Sequence, residues 1–336
     1  NEGRVEFGVG GAATRPEEEG DREGSSSVRV AVRIRPFLPS EAGTSGVVDV
    51  QPPQDHSEHS DHSDGPHHSD HSEPRKGGGG RGRSRRRRRP LSLPTTLQMG
   101  GPAGPRFTYD AIHPPGTSQA DLYLETVAPL VRQCLRGYNA TVLAYGQTGS
   151  GKTYTILGPQ LASADESSGI IPRALRDLFE VLEGSRLNPP KSTAYAYEVR
   201  LQFLELYGEE IRDLLVPHSP GLRIRDVGGG GDKGGGAGEP EVVGASEVVA
   251  GTAREALLCL ARGMLRRVTG ATAMNAESSR SHAIMTAIVE QTATTTVPDG
   301  DGADEDGREA SFTRSKFHFV DLAGSERARR TQATGH

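Results

Sequence analysis

The chain has 336 residues, a net charge of −5 and only 33% hydrophobic residues, with 44 glycines and 22 prolines. That length holds one large domain or two ordinary ones, but so low an apolar share means that only part of it can pack a core. No run of eighteen apolar residues occurs, and the amino-terminal NEGRVEFGVG has no basic start followed by an apolar stretch, so neither a membrane span nor a secretory signal is predicted.

Residues 1–27, rich in Gly, Glu and Arg and without an initiator Met, read as a disordered tail of a processed or partial chain. Val28 to Ile34 alternates apolar and polar residues, a strand that Pro36 ends. From about 51 to 105 the composition turns to low complexity, first QDHSEHSDHSDGPHHSDHSEP and then RKGGGGRGRSRRRRRP, predicting a solvated insertion inside a folded domain. Order resumes at Phe107. Ser118-Gln119-Ala120-Asp121 has capping-box spacing and opens a helix whose Tyr123, Val127, Leu130, Val131 and Cys134 share one face.

Asn139 to Tyr145 is a short apolar run of the buried-strand type. A glycine-rich loop follows, and a helix begins at Thr153. Further helices are predicted over Gly169–Leu182, Glu209–Leu215 (a short piece) and Thr252–Leu265, and strands over Ala194–Leu206, Ser281–Thr295 and Phe312–Val320. A second flexible insertion covers 228–241. Strands alternating with helices predict an α/β fold of the P-loop type with a mostly parallel central sheet, its ligand at the carboxyl ends of the strands. Cys134 and Cys259 lie among apolar neighbours and read as buried thiols of a reducing compartment.

The loop Gly146-Gln147-Thr148-Gly149-Ser150-Gly151-Lys152-Thr153 fits G-x-x-x-x-G-K-[ST]. Its glycines let successive backbone N–H groups turn toward phosphate oxygens, Lys152 offers an ammonium to the β- and γ-phosphates, and the Thr153 hydroxyl is a Mg²⁺ ligand. ATP with Mg²⁺ is the expected ligand pair. Two weaker patterns suit a γ-phosphate sensor. Asp321-Leu322-Ala323-Gly324 ends a strand and places a carboxylate to hold Mg²⁺ through water. Asn275-Ala276-Glu277-Ser278-Ser279-Arg280-Ser281-His282 offers hydroxyls and an arginine, though by itself it fits an ordinary polar loop with a helix cap better.

Together these segments resemble the kinesin motor family, possessing in order its R-x-R-P strand end (Arg33 to Pro36), its phosphate loop, its first switch N-x-x-S-S-R-S-H and its second switch DLAGSE (Asp321 to Glu326). The texts FLELYGEEIRDLL and TAMNAESSRSHAI fit too, and TAMNAESSRSHAI and SKFHFVDLAGSER look most like the chromokinesin-type fourth class. The resemblance covers residues 28–336 apart from the two insertions and implies a microtubule-stimulated ATPase of the cytoplasm and cytoskeleton. It implies that Arg33 and Pro36 line the adenine pocket, with Arg35 counted among the nucleotide-binding residues, Tyr123 beside them and Tyr154 stacking on the base. It further implies that Ser278 and Ser279 contact the γ-phosphate and Mg²⁺, that Arg280 pairs with Glu326 across the switches, and that Gly324 hinges the second switch. Ser279, Arg280, Gly324 and Glu326 are then the catalytic set, and Thr153, Ser279 and Asp321 the metal set.

The sequence stops at His336 soon after the second switch, so the resemblance implies a partial motor domain whose filament-binding helix, later sheet elements, neck linker and dimerising coiled coil lie outside it. Two other functions stand beside the motor: an ATP-binding fragment of kinesin type serving as a binding module, and a different P-loop enzyme such as a GTPase, which lacks its guanine-selecting N-K-x-D here. The cluster Arg81, Arg83 and Arg85 to Arg89 leaves three readings open: a tether to acidic tubulin, a nuclear-import or nucleic-acid patch, or a solvated run with no role. The tract before it contains six of the eleven histidines without the regular spacing a metal frame needs.

Overall fold

In the computed structural model, which describes residues 4–10, 28–41, 48–51, 93–159, 166–217, 221–225, 241–273, 280–296 and 308–326, the alternating segments become strands of one large sheet. In chain order they begin with β1 (Arg4–Gly10) and β2 (Val28–Ile34). Next come β3 (Val48–Val50), β4 (Thr96–Met99), β5 (Arg106–Thr108) and β6 (Ala111–His113). The helices α1 (Gln119–Thr126) and α2 (Ala128–Leu135) lead to β7 (Ala140–Tyr145), α3 (Lys152–Leu157) and α4 (Ile170–Leu187). Then follow β8 (Thr193–Tyr207), β9 (Glu210–Asp213), β10 (Arg223–Arg225), β11 (Glu241–Val243) and β12 (Val248–Ala250). Helix α5 (Ala253–Ala273) precedes β13 (Ser281–Thr296) and β14 (Arg308–Asp321). Among the described residues no helix is long and apolar enough to cross a membrane.

The nine-stranded sheet runs β12-β8-β13-β14-β7-β1-β2-β6, with β9 on β8. Among the described residues only β14–β7 and β2–β6 pair in parallel, so the sheet is mixed rather than mostly parallel. The long strands are responsible. β8 and β14 each lie antiparallel to β13 along almost its whole length; β14 follows β13 in the chain, whereas α5 carries the chain from β12 across β8 to β13.

Four other expectations change. The tail expected over 1–27 contributes β1, antiparallel to both β2 and β7; the alternation Val5, Phe7, Val9 is its signal in the sequence. The first insertion ends earlier than 105. β4 pairs with β3 and β5, and Leu97 and Met99 pack with Val32 and Ile112, while 52–92, which include the histidine and arginine tracts, lie outside the described residues. The single helix expected from Ser118 is two, because Pro129 at the start of α2 has no N–H to continue α1. Its capping and buried face hold: Ser118 Oγ accepts from Asp121 N, and Tyr123, Val127, Val131 and Cys134 are buried. The short helix expected over Glu209–Leu215 is β9, which turns back on β8 at Gly208, where φ is +60°, with Ile211 and Asp213 pointing inward.

The main core lies between helices and sheet: Leu122, Val131, Leu175, Leu178 and Leu182 meet Val142, Val199, Leu201, Phe317 and Phe319. Both cysteines are buried and free, as expected. Helix α5 sits so near β8 that a Cβ on Gly263 would lie 2.2 Å from the Phe203 ring.

One buried group stands apart. His113 is fully buried with neither ring nitrogen hydrogen-bonded, and Glu125 Oε2 is 3.8 Å from its Nδ1, too long for a hydrogen bond. Burial, aided by Arg33 and opposed by Asp121, holds the imidazole pKa at about 4, below its usual 6.5. The unfolded chain therefore takes up this proton first. The contribution to stability is full above pH 6.5 and is lost as the pH falls from there toward 4, roughly 3 kcal/mol in all. Denaturant titrations across this range should show His113→Phe with a shallower loss of stability than the parent; parallel curves would refute it.

Candidate active site

Strand β7 leads directly into the phosphate loop. Gly146, Gly149 and Gly151 have φ of 155°, 79° and 95°, a region that other residues enter only with strain. A Cβ on Gly149 or Gly151 would meet nothing within 4 Å, so the backbone path, not crowding, demands glycine there. Ser150 is fully buried in the loop and its hydroxyl has no partner. Lys152 is buried too, its Nζ donating to the carbonyls of Gly146 (2.8 Å) and Gln147 (3.0 Å). Burial lowers its pKa, and Arg267 adds to this while Asp321 and Glu326 work against it.

The parallel pairing of β14 with β7 sets Asp321 beside Ala144 and so brings the second predicted motif to the loop. Thr153 Oγ1 donates to Asp321 Oδ2 at 2.8 Å. The same oxygen accepts from Arg267 Nη1 at 3.0 Å, while Arg267 Nη2 donates to the Ser281 carbonyl at 3.0 Å and Nε lies 3.6 Å from Glu205 Oε1. Asp321 Oδ1 is buried without a hydrogen-bond partner.

Beyond Asp321 the chain folds over the loop. Ala323 N donates to His282 Nδ1 (3.0 Å) and Ser325 N to the Gly146 carbonyl (3.0 Å). Glu326 accepts from Thr148 N at 2.9 Å and from the Thr148 hydroxyl, contacts that lower its pKa. A Cβ on Gly324 would stand 2.3 Å from a Glu326 oxygen and 2.5 Å from Thr148 Oγ1, so a larger residue there would have to displace the Glu326 carboxylate from Thr148. The Arg280–Glu326 pair implied by the resemblance is not formed: Arg280 is exposed, and Glu326 is held by Thr148 instead. Ser278 and Ser279 lie outside the described residues.

On the other flank, Arg33 is buried at the end of β2 and donates to Gln119 Oε1 (2.7 Å) and Thr155 Oγ1 (2.8 Å). Its guanidinium is 5.5 Å from the centroid of the half-exposed Tyr154 ring, a cation–π contact. Gln119 Nε2 in turn donates to the Tyr154 carbonyl at 2.7 Å. Arg35 is taken up by Glu41 at 2.7 and 2.6 Å, which brings that carboxylate to about 2, and Pro36 is exposed next to it. Tyr123 departs from its implied place. It is buried, its hydroxyl donates to Asp177 Oδ2 at 2.6 Å to tie α1 to α4, and its ring has no free face for a base.

Sequence reasoning missed Arg267, Glu205, Gln119 and Thr155. Arg267 had a signal: it falls in register with Ala256, Leu260 and Gly263 on the apolar face of α5, where an arginine needs buried acceptors.

The donor set fits Mg-ATP. The Thr153 hydroxyl and an Asp321 carboxylate with one unpartnered oxygen are hard oxygen donors, and Mg²⁺ draws its remaining ligands from phosphate oxygens and water. The kinesin motor domain matches residues 33–336. The chain belongs to the kinesin motor domain family. This kinesin domain is 41% identical to kinesin-like protein KIF21B of Mus musculus over 244 residues, covering 68% of the chain and 14% of that protein. It is 40% identical to the chromosome-associated kinesin KIF4B of Homo sapiens over 233 residues, covering 68% of the chain and 17% of that protein. The chain thus spans about one-sixth or less of the length of these relatives. A solved structure of a fast kinesin superposes with a TM-score of 0.64 at 28% identity, covering 91% of this chain and 68% of the other. The kinesin fold accounts for the mixed sheet and for the end of β14 lying against the phosphate loop.

Proposed function

We infer that this kinesin domain hydrolyses Mg-ATP and converts the loss of the γ-phosphate into a change of microtubule affinity. The observation that supports it most is the direct wiring of the β14 end to the phosphate loop, Thr153 to Asp321 and Thr148 to Glu326. A γ-phosphate entering the loop competes for the groups these bonds now use. The Thr153 hydroxyl and Asp321 would hold the cation, Lys152 leaves the carbonyls of Gly146 and Gln147 for phosphate oxygens, and Glu326 is released from Thr148. Mg²⁺ held there would supply charge neutralisation for the phosphates. Arg33 and Gln119 hold the Tyr154 ring in place for the base.

Hydrolysis needs water to form a bond to the γ-phosphorus as the bond to the bridging oxygen breaks, and the water to lose a proton. Glu326, once free, can pair with Arg280 and pass that proton outward, with Ser278 and Ser279 ordering the γ-phosphate side. Gly324 lets the second switch follow. Movement along microtubules, dimerisation and a cytoskeletal place of action are extensions of this reading that rest on the family.

Glu326→Ala and Arg280→Ala should each keep ATP binding within a few-fold while microtubule-stimulated turnover falls about 10²-fold. Steady-state ATPase with and without polymerised tubulin, beside fluorescent-nucleotide titration, checks both. Near-normal stimulated turnover in either variant sinks the assignment.

A further inference from the structure

Helix α5 has two apolar stripes. One, with Ala256, Cys259 and Leu260, is buried against the core. The other faces out: Leu258 is 49% exposed, Leu265 66% and Val268 55%, with Ala261 between them. Steps of three, four and three residues set these four side chains on one side of the helix, the spacing of a two-helix seam. Arg254 lies one turn before Leu258 in the same row, and Arg262 flanks it. Both arginines are exposed, and among the described residues neither forms an ion pair.

We propose that this outer face of α5 docks an amphipathic helix of a partner protein, one with an apolar seam at heptad spacing and acidic residues along its flanks. The apolar row supplies the buried seam, and Arg254 and Arg262 select the sign of the flanking charge. Charge also decides against the other occupants. A second copy pairing antiparallel on this row would bring its Arg262 close to the first copy's Arg262. An anionic lipid surface is held by clusters of about four to eight basic residues, more than Arg254 and Arg262 supply.

The test uses the full chain and two synthetic helical peptides of about 21 residues with Leu at both seam positions, one flanked by Glu and the other by Lys. Fluorescence anisotropy should show the Glu peptide binding about tenfold tighter or better, with the preference shrinking as salt rises. Leu265→Glu should weaken that peptide about tenfold, and Arg262→Glu should turn the preference toward the Lys peptide. Leu258→Ser gives an independent, milder loss, and unchanged thermal melts certify the fold of each variant. Equal affinity for both peptides overturns the proposal. So does absence of Glu-peptide binding, whether the chain then forms a dimer that Leu265→Glu dissolves or cosediments with phosphatidylserine vesicles.

Discussion

Lys152→Ala should reduce kcat/KM for ATP about 10³-fold while leaving the fold in place. The ammonium is buried and rests on the Gly146 and Gln147 carbonyls, so its removal leaves two carbonyls short of a donor. Those carbonyls belong to a loop with open space over Gly149 and Gly151, where water can replace the lost donor, and the cost to stability is about 1 kcal/mol. Among the described residues the buried arginines are already committed. Arg267 is committed to Asp321, Ser281 and Glu205, and Arg33 to Gln119 and Thr155. A thermal melt within a few degrees of the parent, together with loss of nucleotide binding by titration, is the expected pair of results. Retained turnover would mean that Lys152 keeps the loop closed and does not meet phosphate.

The parts of this site written in consecutive residues were legible in the sequence. The phosphate loop lies within eight positions, and its flanking strand and helix follow from local apolar pattern and glycine chemistry. The helix cap at Ser118 and the long strands at β8, β13 and β14 were legible for the same reason. What required the fold was pairing across distance. Nothing local says that β13 and β14 run antiparallel while β14 and β7 run parallel, and that choice is what sets Asp321 beside Thr153. Tyr123 was misplaced because an aromatic at a family position says nothing about whether its ring faces a ligand or, through Asp177, another helix. β4 was hidden because Leu97 and Met99 follow closely on a tract whose composition swamps any window average.

Arg267→Ala should be the more damaging change to the protein itself, about 3–5 kcal/mol of stability. The guanidinium is buried between two carboxylates, Asp321 at 3.0 Å and Glu205 at 3.6 Å, and also donates to the Ser281 carbonyl. Truncation leaves a buried pair of acids with no cation between them, Asp321 keeping only the Thr153 hydroxyl. The two carboxylates then repel each other in a space that holds little water, which is where the loss of stability comes from. Arg267→Lys restores the charge but not the fork that reaches both carboxylates and Ser281, and should recover less than half of the loss. Urea titrations of parent, Ala and Lys forms at pH 8 decide it. An Ala variant as stable as the parent at pH 8 would mean that the two carboxylates find other partners, and that Arg267 does not set the charge beside Thr153.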